Sequence, residues 1–259
     1  MNLDLREKNA LVCGSTQGIG KAAAAELARM GAGLTLMARN ESALQDTLRE
    51  IGGDHDYIAA DFSQPEQVRE AIQAYLARTG KSFHILINNT GGPPGGPIID
   101  AMPEAFLSAW NMHLTCSHYL VQALVPGMKA AAYGRIINVI STSVKIPING
   151  LGVSNTTRAA MAGWSKTLAN ELGHMGITVN NVLPGFTETA RLHAVIRSRA
   201  ALTGMSEEAV AQEMRSSIPA GRFGHAEETA SAIAFLASPA AAYINGVNLP
   251  VDGGRTGSF

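Results

Sequence analysis

The chain has 259 residues, a net charge of −1 and 46% hydrophobic residues. That length and apolar content suit one α/β domain with a sizeable core, and the near-neutral charge excludes the basic footprint of a nucleic-acid or anionic-membrane binder. The two cysteines, Cys13 and Cys116, lie in apolar contexts and cannot make a disulfide framework, which points to reduced thiols and a cytoplasmic protein. The opening MNLDLREKNALVC carries charges before a short apolar run, unlike a signal peptide. No stretch reaches the roughly eighteen apolar residues of a membrane helix, and no metal site is implied.

In chain order, short β-like runs alternate with helix-length segments. NALVC (9–13) leads through a glycine turn into KAAAAELARMG, and GLTLMA (33–38) precedes ESALQDTLREIG. DYIAAD (56–61) precedes QPEQVREAIQAYLARTG, and FHILINN (83–89) precedes a Gly/Pro loop and a long helix from about 103 to 131. GRIINVIS (134–141) is followed by a helix over 150–172, and GITVNNVLPG (176–185) ends in a Pro-Gly turn. A helix near 225–237 leads to GVNLPV (246–251). Strands bounded by turns and alternating with helices predict a single-domain, Rossmann-like doubly wound parallel sheet of seven strands with helices on both faces. The helical segment 187–217 interrupts this rhythm at a strand end and is expected to form a substrate lid, with Leu192, Val195, Ile196 and Met205 facing the pocket.

The turn CGSTQGIGKA follows the first strand and opens the first helix. Gly14, Gly18 and Gly20 let the backbone turn tightly and approach a pyrophosphate, which the unpaired amides and dipole of a helix N-terminus attract. Its place after strand one gives the pattern its weight. Strand two ends MARNES, with no acid at position 38 or 39 to hold the 2′-hydroxyl of NAD; Arg39 suits the 2′-phosphate of NADP instead. NADP(H) is the expected cofactor and NAD the less favoured one.

With these motifs in order, the chain resembles the short-chain dehydrogenase/reductase family over nearly its whole length. INNTG (87–91) is similar to that family's Asn-Asn-Ala-Gly motif, with Thr90 in place of alanine, and Asp61 matches its adenine-side acid. LPGFTET (183–189) resembles the segment beside the nicotinamide, and the tail from IPAGRFG to VDGG resembles the C-terminal signature. The resemblance implies a cofactor set of Gly14, Ser15, Thr16, Gln17, Gly18, Ile19 and Gly20 in the turn, with Arg39, Asn40, Asp61 and Phe62 on the adenosine side. Asn89, Thr90, Gly91, Arg158, Pro184, Gly185, Thr187 and Thr189 complete it. It also implies pairing of the long helix and the 150–172 helix in a homo-oligomer, a dimer or tetramer.

The resemblance breaks at the catalytic positions. The family combines Asn, Ser and Tyr-x-x-x-Lys; here Ser141 occupies the serine position, Ser154 the tyrosine position and Arg158 the lysine position. His113 falls at the Asn position, with Asn111 as the alternative if the register slips. A serine hydroxyl is a much weaker acid than a phenol titrating near 10. Arg158 keeps its charge and can polarise an oxygen but cannot shuttle protons, whereas an imidazole titrating near neutrality can. The catalytic set is therefore Ser141, Ser154, Arg158 and His113, for NADPH-dependent interconversion of a small carbonyl and alcohol. Plainer readings stand beside it: His113 as a core histidine, Ser154 as a helix cap or small packing residue. The competing functions are a nucleotide-binding module without turnover and a non-redox enzyme on the same scaffold. Relatives that dehalogenate with Ser, Tyr and Arg have lost the nucleotide glycines, and Gly14, Gly18 and Gly20 remain here. Arg191 and Arg197 are candidates for meeting an acidic substrate.

Overall fold

In the computed structural model, which describes residues 1–257, the apolar runs pair side by side as strands of one parallel sheet. These are β1 (Asn9–Cys13), β2 (Gly33–Ala38), β3 (Asp56–Ala59), β4 (Ile85–Asn88), β5 (Gly134–Val139), β6 (Ile177–Pro184) and β7 (Asn248–Val251), in the order β3-β2-β1-β4-β5-β6-β7. Successive side chains of a strand point to opposite faces, so a strand buried on both sides is apolar throughout. In β1, Ala10 and Val12 join one core and Leu11 and Cys13 the other.

The connecting helices supply the two outer layers. On one face α1 (Gly18–Arg29), α2 (Glu41–Ile51) and α9 (Ala226–Ala237) bury Ala23, Leu27, Leu44 and Ile233. On the other, α3 (Pro65–Thr79), α5 (Cys116–Ala130) and α6 (Gly152–Leu172) bury Ile72, Leu120, Leu124 and Ala169. Local chemistry sets several boundaries. The Asn40 side chain accepts from the Ala43 amide at 3.0 Å to cap α2. Pro65 opens α3, and Gly80 closes it at φ +62°.

The expected long helix over 103–131 is not continuous. It comprises α4 (Pro103–Trp110), a π-helical turn (Asn111–Thr115) and α5, with the Cys116 amide bonded to the Asn111 carbonyl. The extra residue in that turn rotates the rest of the helix and carries His113 inward. The segment 187–217 forms α7 (Ala190–Thr203) and α8 (Glu207–Ser216), which close their own small core of Leu192, Ile196, Val210, Met214 and Phe223.

A row of amides crosses the sheet. Asn88, Asn138, Asn181 and Asn248 are in register on β4, β5, β6 and β7. Asn88 donates to Asn138 at 2.8 Å, Asn138 to Asn181 at 3.0 Å, and Asn181 to Asn248 at 2.8 Å. Asn138 also donates to the Ser165 hydroxyl at 2.8 Å, tying α6 to the sheet beneath it. Among the described residues no helix is long and apolar enough to cross a membrane, and no group of His, Cys, Asp or Glu is arranged to hold a metal.

Candidate active site

At the C-terminal ends of the strands lies a cavity of about 760 Å³, the place where open α/β sheets bind ligands. Its floor is the turn after β1. Gly14 has φ +57°, and a Cβ there would stand 2.5 Å from the Asn89 carbonyl oxygen. A Cβ on Gly20 would stand 2.2 Å from the Gly14 carbonyl oxygen. The Asn89 amide donates to the carbonyls of Cys13 and Gly14 at 3.3 and 3.2 Å, fastening β4 to the turn. Gln17 begins α1 without a side-chain cap, so the first amides of the helix depend on a ligand or water.

Thr16, Gln17, Gly18 and Ile19 line the cavity above this floor, and Arg39, Asp61 and Phe62 line it at the ends of β2 and β3. Thr90, Gly91, Pro184, Gly185, Thr187 and Thr189 line it from β4 and β6. Three expected cofactor residues stand outside the lining. Ser15 is fully buried with an unpartnered hydroxyl, Gly20 packs under the turn, and Asn40 is engaged as the α2 cap. Thr189 caps α7 through the Leu192 amide at 3.4 Å.

Ser141, Ser154 and Arg158 meet on one wall of the cavity. The Ser141 Oγ accepts from the Ser143 amide at 3.0 Å, which leaves its own O–H free to donate. Arg158 is only 8% exposed, and its Nη1 donates to the Val139 carbonyl at 2.7 Å. Burial, with the charge of Arg191 behind it, pushes the Arg158 pKa down to about 10, so the guanidinium is still charged at neutral pH.

His113 departs from expectation in two ways. It is 3% exposed and lies behind Thr90, not on the cavity wall; its Nδ1 is 2.5 Å from the Thr90 hydroxyl and its Nε2 is buried without a partner. Burial, and secondarily the Arg158 charge, holds its pKa well below 6.5, so the imidazole is neutral at physiological pH and not poised near it. Asn111, the alternative, accepts from the Thr115 hydroxyl at 3.3 Å within the π-helical turn and does not reach the cavity.

From the segment 187–217, Ala190, Arg191, Leu192 and Val195 reach the cavity. The expectation that Ile196 and Met205 would do so is corrected: Ile196 is buried in the core between α7 and α8, and Met205 is exposed. Arg197 is exposed and also lies off the cavity. Among the described lining residues there is no tyrosine, lysine or histidine. Cys13 and Cys116 are both free and buried; burial raises both thiols, Cys116 to about 12, so neither is a nucleophile.

Comparison with known proteins matches this architecture along the whole chain. A family model described as enoyl-(acyl carrier protein) reductase matches residues 14–256. The 3-oxoacyl-(acyl-carrier-protein) reductase of Vibrio cholerae is 35% identical over 252 residues, covering 97% of this chain and 98% of that protein. L-sorbose reductase from Gluconobacter frateurii, solved with NADPH and L-sorbose, superposes with a TM-score of 0.92 at 30% identity, covering 100% of both chains. YwfH, an NADPH-dependent reductase involved in bacilysin biosynthesis, gives a TM-score of 0.91 at 29% identity, covering 97% of this chain and 99% of that one.

Proposed function

The chain belongs to the short-chain dehydrogenase/reductase family, and from that premise we propose that it is an NADP(H)-dependent oxidoreductase interconverting a small carbonyl and an alcohol with an atypical proton donor. The observation that carries the reading is the floor of the cavity: a glycine turn that no Cβ can enter, beneath an α1 N-terminus with no side-chain cap. Those features fit a pyrophosphate. Arg39, on the wall and without a carboxylate partner among the described residues, fits a 2′-phosphate. Asp61, Phe62, Asn89 and Gly91 would hold the adenosine half, and Pro184, Gly185, Thr187 and Thr189 the nicotinamide half.

When bound, the cofactor supplies hydride to the carbonyl carbon. The residues do the rest. Ser141 donates its free O–H to the substrate oxygen, and the buried Arg158 stabilises the negative charge that develops there. Ser154, half-buried beside them, orders the oxygen or a water. The proton that completes the alcohol comes from water through the Thr90 hydroxyl, which the neutral His113 holds from behind through Nδ1, its Nε2 being buried without a partner. The likeness to NADPH reductases supports the cofactor, and the lining residues support the altered acid.

The α7–α8 pair serves as a lid, since the start of α7 lines the cavity while the apolar core between the two helices lets them move as a unit. The exposed Leu107 and Trp110, at 61% and 44%, lie on one face of α4. They support a homo-oligomer formed through the α4–α5 and α6 faces, which sedimentation of the L107E variant tests. The two buried, free thiols support a cytoplasmic location.

The decisive experiment is NADPH titration followed by nicotinamide absorbance during incubation with a panel of carbonyls. Binding and carbonyl-dependent oxidation support the reading; an absence of binding to either dinucleotide overturns it. The lack of tyrosine, lysine and histidine on the wall favours a second reading, a dinucleotide-binding module with no turnover. Binding without oxidation across the panel would select it. Product formed without cofactor oxidation would select the non-redox alternative, against which the retained glycines stand.

A further inference from the structure

The charges on the cavity wall are unevenly placed. Arg39 and Asp61 share the end formed by β2 and β3, so that end holds one charge of each sign. At the other end, beside Ser141 and Ser154, stand Arg158 and Arg191, and no carboxylate lines the wall there. Neither arginine makes an ion pair among the described residues. Each is held by a single backbone carbonyl, Arg158 by Val139 at 2.7 Å and Arg191 by Pro93 at 2.6 Å.

Arg158 is buried without a counter-ion, which is costly, whereas Arg191 beside it is exposed to solvent; a group that carries the missing charge offsets the cost at Arg158. The Arg191 charge weighs against protonation of Arg158. Burial alone weighs against protonation of Arg191. The dinucleotide already has donors for its phosphates in the α1 N-terminus and Arg39. Arg191 is tied to Pro93, on the loop after β4, and not to the glycine turn. Gly92 makes room for it, since a Cβ at that position would stand 3.3 Å from the Arg191 Nη2. The tie joins the first turn of α7 to the loop after β4.

We propose that Arg191, beside Arg158, is a carboxylate clamp, and that the substrate is a carbonyl compound bearing a carboxylate. This rests on the oxidoreductase reading for the position of the reacting carbonyl. A guanidinium presents its donors in a planar fork that matches a carboxylate. Arg191 determines specificity: it takes the carboxylate, while Arg158 faces the carbonyl oxygen. Binding the carboxylate also strengthens the bridge between α7 and the 91–97 loop, closing the lid on a charged substrate and leaving it looser on a neutral one.

The test is calorimetric titration of the NADP⁺-loaded protein with 2-oxobutyrate and 3-oxobutyrate, each compared with its methyl ester. The clamp predicts at least tenfold tighter binding of one acid than of its ester. That ratio falls to near one in Arg191→Gln and is partly restored in Arg191→Lys, which keeps the charge. Equal binding of acid and ester, no binding of either, or a preference that survives Arg191→Gln overturns the proposal. So does a loss of NADPH affinity in Arg191→Gln as large as the loss of acid affinity, because Arg191 would then serve the dinucleotide. Acid binding that depends on Arg191, with no nicotinamide oxidation under any condition, leaves the clamp standing and removes the oxidoreductase reading.

Discussion

The Thr90 hydroxyl lies 2.5 Å from Nδ1 of His113, joining the exit of β4 to the π-helical turn. Thr90 faces the cavity and His113 does not, so any proton reaching the histidine passes through the threonine. The roles of the two are thereby separated: one touches the site, the other backs it.

Replacing His113 with alanine is expected to lower kcat for carbonyl reduction by about 100-fold, with NADPH affinity preserved. Turnover equal to wild type would end the idea that His113 supports proton transfer through Thr90. The same residue has a stability signature. Its folded pKa is held well below the ordinary 6.5, so the unfolded chain takes up the proton first as the pH falls. Its contribution to stability is complete above pH 6.5 and is lost as the pH drops below that value. His55 and His84 shift in the same direction. The His113→Asn variant should therefore flatten, but not abolish, the fall in Tm between pH 7 and pH 5, as read by thermal melts.

Ser154 and Arg158 share the cavity wall one helical turn apart on α6. The double variant Ser154→Tyr, Arg158→Lys places a phenol beside an ammonium, which lowers the phenol pKa. Steady-state reduction of a neutral β-ketoester should rise by about tenfold. No gain, with NADPH binding intact, would mean that position 154 does not face the reacting oxygen.

Exchanging Arg39 for aspartate should reverse cofactor preference. Loss of a charge-assisted contact worth about 1.5–3 kcal/mol corresponds to a roughly 10- to 100-fold loss of NADPH affinity, while NADH affinity rises. Fluorescence titration with both dinucleotides reads the switch directly.

At Gly20 the added methyl of an alanine would meet the Gly14 carbonyl oxygen at 2.2 Å and the Asn89 Nδ2 at 2.6 Å. Both are fixed parts of the turn, so relief requires the turn to move. Gly20→Ala is expected to weaken NADPH binding by at least about tenfold and to lower Tm, at a cost of roughly 1–3 kcal/mol. Retained affinity would show that the turn does not carry the dinucleotide.

Asn138 holds three amide or hydroxyl partners in the sheet interior, Asn88, Asn181 and Ser165. Asn138→Leu leaves the Asn88 side-chain amide on β4 and the Asn181 side-chain carbonyl oxygen on β6 without these partners, while the Ser165 hydroxyl keeps its bond to the Met161 carbonyl. The expected cost is about 3 kcal/mol, or a fall in Tm of roughly 10 °C. A change of only a degree or two would show that the row is dispensable.

The amino-acid sequence by itself determined the seven-stranded architecture, the glycine floor and the identity of the residues at 141, 154 and 158. Strands alternating with helices are a local signal, and NALVC and GLTLMA form β1 and β2 over the same residues that the runs suggest. The tertiary structure decided the features that depend on residues far apart in the chain. The π-helical turn looks like ordinary helix in sequence, yet it buries His113 behind Thr90, 23 positions away. Strand register, which no local run specifies, made a row of four asparagines spread from position 88 to position 248. Ile196 and Met205 fit a helix face as well as a pocket wall, and only the packing of α7 on α8 chose between them. Arg158 and Arg191 became neighbours because α6 and α7 begin beside the same cavity. Periodicity is carried by adjacent residues, whereas burial, register and the fields between charges exist only once distant segments have met.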